Sequence, residues 1–152
     1  MVTNFNIITT HSLTADLIPL LRKESLLYYT DFPLYTAETA TDLEVWFLDP
    51  KRHTWCLYKE STLAGFVSAH LVPKHTTDSI TLVVDEPFQR KGIGTVLLQH
   101  AMSSLQHEGY VRIEAQICTE NTASVQLLES QGFKKEGVLY KNVVGTYLHG
   151  PL

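Results

Sequence analysis

The stretch EPFQRKGIGTVLLQHA, Glu86 to Ala101, decides the fold. It sets Gly92 and Gly94 one residue apart, behind the polar triplet Gln89-Arg90-Lys91 and ahead of a run with helical spacing. From Gly94 the apolar positions Leu97, Leu98, Ala101, Met102 and Leu105 recur at helical intervals, and Gly109 stands where such a helix stops. Upstream, SITLVV (79–84) has the composition of a strand, and downstream VRIEAQI (111–117) is another. Strand, glycine loop, helix, strand is a unit that brings its two strands parallel, with the helix packed across them.

The loop then lies at the carboxyl end of the first strand. A helix N-terminus offers unpaired N–H groups and a partial positive charge, so the amides from Gln89 to Thr95 can converge on a phosphate. Glycines remove side chains that would block its approach, and Arg90 and Lys91 add local positive charge.

Outward from this unit, the chain keeps one grain. FNIITT (5–10) is a first strand, SLTADLIPLLRKESLLYY (12–29) a helical segment opened by a capping Ser or Thr, and a short helix is expected from Thr39 to Phe47. A period of two follows in HTWCLYKE (53–60) and GFVSAHLV (65–72), with turns at STLAG (61–65) and around Pro73 to Asp78. After VRIEAQI, Asn121 or Thr122 can cap a helix carrying Val125, Leu127 and Leu128 and stopped by Gly132. The strands GVLYKNV (137–143) and GTYLHGPL (145–152) close the chain.

Composition bounds the function. The 152 residues, with no repeat or low-complexity linker, read as a single domain, 1–152, with enough core to dispense with disulfides or metal. A formal charge of -4 argues against general binding to nucleic acid or an anionic membrane, so an anion must be held locally. Cys56 and Cys118 lack zinc or redox spacing, and no apolar run approaches the roughly 20 residues of a membrane span. With no signal-like N-terminus, a cytoplasmic protein without a metal is expected.

Spacing separates the ways of holding a phosphate. No G-x-x-x-x-G-K-[ST] string occurs. A dinucleotide fingerprint fails because Leu97 stands at its third glycine, although Glu114 imitates its acidic residue. The pattern Q/R-x-x-G-x-G/A is matched at every specified position by Gln89, Gly92 and Gly94. Here the chain resembles the GCN5-related N-acetyltransferase (GNAT) family, whose signature loop wraps the pyrophosphate of coenzyme A. A second family segment, N-x-x-A-x-x-L-Y-x-x-x-G-F, is followed by Asn121, Ser124, Leu127, Gly132 and Phe133 at the corresponding offsets.

The resemblance implies an α+β fold. It consists of a central twisted mixed sheet of about seven strands, splayed between the fourth and fifth, flanked by about four helices. It implies acetyl-CoA as cosubstrate, its acyl-pantetheine arm lying in the splay against backbone groups of Leu82, Val83 and Val84. Gln89, Arg90, Lys91, Gly92, Ile93, Gly94 and Thr95 would hold the pyrophosphate, and Asn121 and Ser124 would meet the cofactor at the next helix. The implied activity is N-acetyl transfer to a primary amine of a small molecule, protein or peptide, by direct attack in a ternary complex. The N–H of Val84 would serve as oxyanion donor.

The family pattern has a Tyr where this chain has Leu128. Tyr140, Tyr147 and Ser124 are the substitutes for that acid, Tyr140 foremost. Asp78, Glu86, Glu114, His70 and His75 are the candidate bases, Glu86 foremost. Cys118 allows a covalent route but is more economically a packing residue. Tyr28, Tyr29, Phe32, Tyr35 and Trp46 fall where the family builds its acceptor wall, core packing being the equal alternative. A likeness of GTYLHGP to a segment around a catalytic histidine in some glutamine amidotransferases lacks a partner cysteine on a strand-to-helix elbow. The missing Tyr keeps open a non-catalytic acyl-CoA-binding protein of the same fold, and the family alone suggests a homodimer.

Overall fold

A computed structural model describes residues 4–10, 16–17, 20, 45, 47–72, 76–118, 120–139 and 144–150. They form β1 (Phe5–Thr10), β2 (Arg52–Lys59), β3 (Thr62–Val72), β4 (Thr76–Val84), a 3-10 turn (Glu86–Phe88), α1 (Ile93–His107), β5 (Arg112–Cys118), α2 (Thr122–Ser130), β6 (Lys134–Leu139) and β7 (Val144–His149). The seven strands make one sheet in the order β1-β2-β3-β4-β5-β7-β6. All neighbours are antiparallel except β4 and β5.

That parallel junction is the break in the sheet. β4 and β5 pair only through Thr76 with Arg112 and Thr77 with Ile113, and then separate. Beyond Thr77, β4 keeps β3 on one edge while its other edge opens, which is the splay that the family resemblance implies. Three strands begin well before the sequence expectation. β3 already begins at Thr62, because the turn from β2 is carried by Glu60 at φ 60. β4 begins at Thr76, where two β-branched threonines pair with both neighbouring strands. β6 begins at Lys134 and ends at Leu139.

The apolar stripe of α1 covers one face of the sheet. Ile93, Leu97, Leu98, Ala101 and Leu105 are buried and join Val67, Ala69, Ile80, Ile113, Ala115 and Tyr147 in the larger core cluster. Each such Leu or Ile contributes roughly 1.5–3 kcal/mol on leaving water. Both helices end as expected at Gly109 and Gly132, with φ of 93° and 94°. Tyr110 N–H donates to Leu105 O and Phe133 N–H to Leu128 O, the closing bonds of Schellman ends.

The other face carries Cys56, Phe66 and Val83 under Leu17, Leu20 and Phe47. Leu17, Leu20, Val45 and Phe47 are helical, at positions within the two N-terminal helices expected from sequence, and Leu48 is helical one residue past the second; apart from Asp16, in a turn, the other residues of those two segments lie outside the described ones. Beside this cluster runs a buried polar row in which Thr54 and Ser68 share a 2.9 Å hydroxyl bond and Arg52 Nη1 donates to Ser68 Oγ.

Candidate functional site

The end of β4 is built by hydrogen-bond parity. Asp85 N–H donates to Ala64 O at 2.8 Å, so Ala64 and Asp85 oppose each other as a hydrogen-bonded pair. Alternation along the ladder makes Phe66/Val83 another such pair. Leu82 and Val84 fall between them, and their N–H and C=O groups point away from β3 into the opening beside β5. Val83 therefore spends its backbone on β3, while Leu82 and Val84 present theirs to the splay.

The chain then turns sharply. The Asp85 carboxylate accepts from Glu86 N–H at 2.9 Å and caps the 3-10 turn, with Pro87 inside it. Gln89 Nε2 donates to Val84 O at 2.9 Å, tying the loop back to the strand it left. Arg90 adopts φ 62° and Gly92 φ 81°, both left-handed. This backbone turns the chain into α1 with Gly92 as N-cap. Gly92 has no side chain to cap the helix, whose first internal bond is Val96 N–H to Gly92 O. The N–H groups of Ile93, Gly94 and Thr95 precede that bond and have no intrahelical acceptor.

α2 differs at its start. Asn121 Oδ1 accepts from Ser124 N–H at 3.3 Å, the cap expected from sequence. The two helix N-termini and the open edge of β4 enclose a cavity of about 710 Å³. Its wall includes Leu82, Val83, Val84, Glu86, Gln89, Arg90, Gly92, Ile93, Gly94, Thr95, Asn121 and Ser124, so nearly every residue assigned to the cofactor meets there. Lys91 is exposed outside that wall.

The cavity also takes in Phe88, Ala123 and Leu127. Phe88 packs on the main core cluster. Leu127 meets Gly94, where a Cβ would stand 3.0 Å from Leu127 Cδ2, 3.6 Å from Leu82 Cδ2 and 3.7 Å from Val84 Cγ2. Gly94 thus lets α2 and β4 close on α1, a packing reason beside the phosphate-approach reason read from sequence. The Asp85 cap is absent from the sequence expectations, although an Asp ahead of Glu-Pro is the one signal that could have found it.

Among the candidate bases, Glu86 lines the cavity and is exposed. His70 lies toward the other end of β3, with Nε2 3.4 Å from Asp49 Oδ2. Asp49 also accepts from Lys51 N–H at 2.9 Å, and that bond, followed by the charges of His70 and Arg52, holds its carboxyl below the ordinary 3.8. Glu114 is half-buried on β5, outside the cavity wall. Asp78 falls within β4 and Cys118 ends β5. Of the candidate acids, Ser124 lines the cavity. Tyr147 is buried in the main core, where loss of water and then the Glu129 charge raise its pKa. Leu128, at the family Tyr position, is buried in the same core. Tyr140, His75, Tyr28, Tyr29, Phe32, Tyr35 and Trp46 lie outside the described residues.

Cys56 is buried on β2, and desolvation, with Asp16 behind it, pushes its thiol up to about 12. Among the described residues no group of three or more His, Cys, Asp or Glu could hold a metal ion, and no helix is long and apolar enough to cross a membrane.

A mixed sheet split between β4 and β5, with a glycine loop and helix N-terminus at the split, defines the GNAT fold. Solved structures share it across nearly the whole chain. A domain from Methanocaldococcus jannaschii has a TM-score of 0.74 at 22% identity, covering 96% of this chain and 99% of its own. Spermidine N-acetyltransferase from Vibrio cholerae, in complex with CoA and spermine, has a TM-score of 0.79 at 17% identity, covering 98% and 96%. The model of the Acetyltransferase (GNAT) family matches residues 18–133, and the chain belongs to that family. A ribosomal protein bS18-alanine N-acetyltransferase from Salmonella typhimurium is 31% identical over 90 residues, 59% of this chain and 60% of that relative. The match to the Escherichia coli K12 protein of the same name is also 31%, over 56% and 59%. These matches span less than two thirds of the curated relatives' length.

Proposed function

We propose that the chain is an N-acetyltransferase that binds acetyl-CoA and passes its acetyl group to a primary amine of a small molecule, protein or peptide. One observation carries the reading: the uncapped N-terminus of α1 and the unpaired edge of β4 face a single cavity of about 710 Å³. The amides of Gly92 to Thr95, with Arg90 beside them, suit the CoA pyrophosphate. Leu82 offers its backbone groups to the pantetheine arm in the manner of an added strand, and Val84, whose C=O is held by Gln89, keeps its N–H for the thioester oxygen at the end of that arm. Asn121, whose Oδ1 is spent on its cap, has Nδ2 left for the cofactor.

The chemistry needs a neutral amine, a stabilised oxyanion and a departing thiolate. The amine nitrogen bonds to the thioester carbon and the carbonyl π pair moves to oxygen. Val84 N–H, fixed in the splay, donates to that oxygen. Glu86, directly or through water, takes the amine proton, and collapse of the adduct breaks the C–S bond. Ser124 or Tyr140 returns a proton to sulfur, although a thiolate with a reference pKa near 8.5 is a tolerable leaving group unaided. The names of the relatives suggest two acceptor classes for trial, a polyamine such as spermidine and a peptide with N-terminal alanine.

A second reading, a non-catalytic acyl-CoA binder, is favoured by Leu128 standing buried in the core where the family pattern places Tyr. Calorimetry with CoA and acetyl-CoA, paired with thiol release across an amine panel including those two classes, tests both. Tight binding with thiol release supports the enzyme, and tight binding without release under any amine supports the binder. Absence of binding sinks both.

A further inference from the structure

We infer that Gly65 is a positioning residue for acyl transfer, because it is the backstop of the peptide that aims the Val84 N–H into the splay. The inference rests on the reading of Val84 as oxyanion donor. Gly65 sits on β3 directly opposite Val84, at a place where a β-bulge interrupts the β2–β3 register. Val83 C=O and Val84 N–H belong to one planar peptide and point in opposite directions, the carbonyl toward β3 and the N–H into the opening. A Cβ at position 65 would stand 2.5 Å from Val83 O and 3.1 Å from Val84 Cα. Both are backbone atoms, so no side-chain rotation relieves the overlap. Any side chain there pushes on the carbonyl end of the peptide whose other end is the donor.

The next peptide is held from both sides. Its N–H, from Asp85, donates to Ala64 O at 2.8 Å, and its C=O, from Val84, accepts from Gln89 Nε2 at 2.9 Å. Ala64 is the extra residue of the bulge, since Gly65 pairs with Leu57 and Leu63 with Tyr58. The bulge, Gly65 and Gln89 together leave the Val83–Asp85 backbone one position. An oxyanion donor works by being fixed before charge develops, and displacement of a reacting geometry by about 1 Å can cost about a hundredfold. A side chain at 65 therefore harms the transition state more than the bound ground state, which the amides of Gly92 to Thr95 and the backbone of Leu82 hold.

The test compares Gly65→Ala with Gly137→Ala, whose added Cβ meets nothing within 4 Å. Melting temperature, CoA affinity and the kcat and KM of acetyl transfer are measured for both and for the wild type. Acetyl-CoA hydrolysis replaces transfer if no amine in the panel serves. Gly65→Ala is expected to lower kcat by about tenfold or more while CoA affinity and KM stay within about threefold, and Gly137→Ala to match the wild type. An unchanged kcat overturns the inference, as does a kcat loss mirrored by an equal loss of CoA affinity. Should Gly65→Ala not fold, the wild-type Val84 amide resonance decides. Acetyl-CoA must shift it well beyond the shift given by CoA, and equal shifts overturn the inference. Failure of CoA to bind the wild type sinks the cavity reading itself, whereas binding with an unaffected variant sinks only the role of Gly65.

Discussion

Gly94 and Leu127 meet across the two helices that frame the cavity: a Cβ on Gly94 would stand 3.0 Å from Leu127 Cδ2. The contacted atom is the far end of a flexible side chain. Gly94→Ala should therefore fold with less than about 1 kcal/mol of change, the small overlap offset by a better helix former. Gly92→Ala should cost about 1–2 kcal/mol, because its φ of 81° strains any residue with a Cβ. CoA affinity should follow the same order, nearly kept in Gly94→Ala and weakened in Gly92→Ala. Denaturant melts with calorimetry check this, and equal losses at the two positions would contradict the packing role given to Gly94.

Arg90 separates loop strain from loop charge. It holds φ 62° without being glycine and lines the cavity while exposed. Arg90→Gly should leave stability unchanged or raise it by up to about 1 kcal/mol, as strain relief competes with a more flexible unfolded chain. The same change should weaken CoA binding severalfold, and the wild-type advantage should shrink as salt rises. An advantage that persists at 1 M salt would mean that Arg90 acts through shape rather than charge.

Cys56 is expected to be inert in the folded protein. With its thiol pushed up to about 12 by burial, its thiolate fraction at pH 8 is on the order of 10³-fold below that of a free cysteine. Iodoacetamide labelling followed by peptide mass mapping should modify Cys56 only as the chain unfolds. Rapid native labelling at that peptide would show that β2 opens locally.

Local chemistry made much of the architecture legible, and cross-strand geometry hid the rest. The spacing of Leu97, Leu98, Ala101 and Leu105 defined α1 because one buried stripe repeats at the helical period. Asn121 was readable as a cap because a side-chain oxygen before a helix has one habitual partner, here Ser124 N–H. STLAG read as a turn because Gly65 looks like turn chemistry, whereas Gly65 is required by the backbone of Val83 on another strand. No spacing in one segment reveals that contact. The candidate bases were hard to separate in the sequence for a related reason. Glu86 and His70 are both polar residues at strand margins, but only the pairing of β3 with β4 puts one at the splay, and only its pairing with β2, Arg52 against His70, puts the other beside Asp49.

The Asp49 pair gives a pH dependence of definite sign. The Lys51 N–H bond, then the charges of His70 and Arg52, hold the Asp49 carboxyl below 3.8 in the folded chain. The unfolded chain therefore binds a proton there more readily than the folded one. Stability from this group is fully present above pH 3.8 and is lost as pH falls through the depressed folded value. Because the Asp49 side chain is more than a third exposed, the effect is modest and screened by salt. Asp49→Asn should flatten the fall in melting temperature below pH 4 and lower the plateau slightly at pH 6. His70→Gln should do part of the same, because the backbone bond to Asp49 survives it. Thermal melts between pH 2 and 6 test the assignment, and acid limbs identical to wild type in both variants would remove Asp49 from the account of acid unfolding.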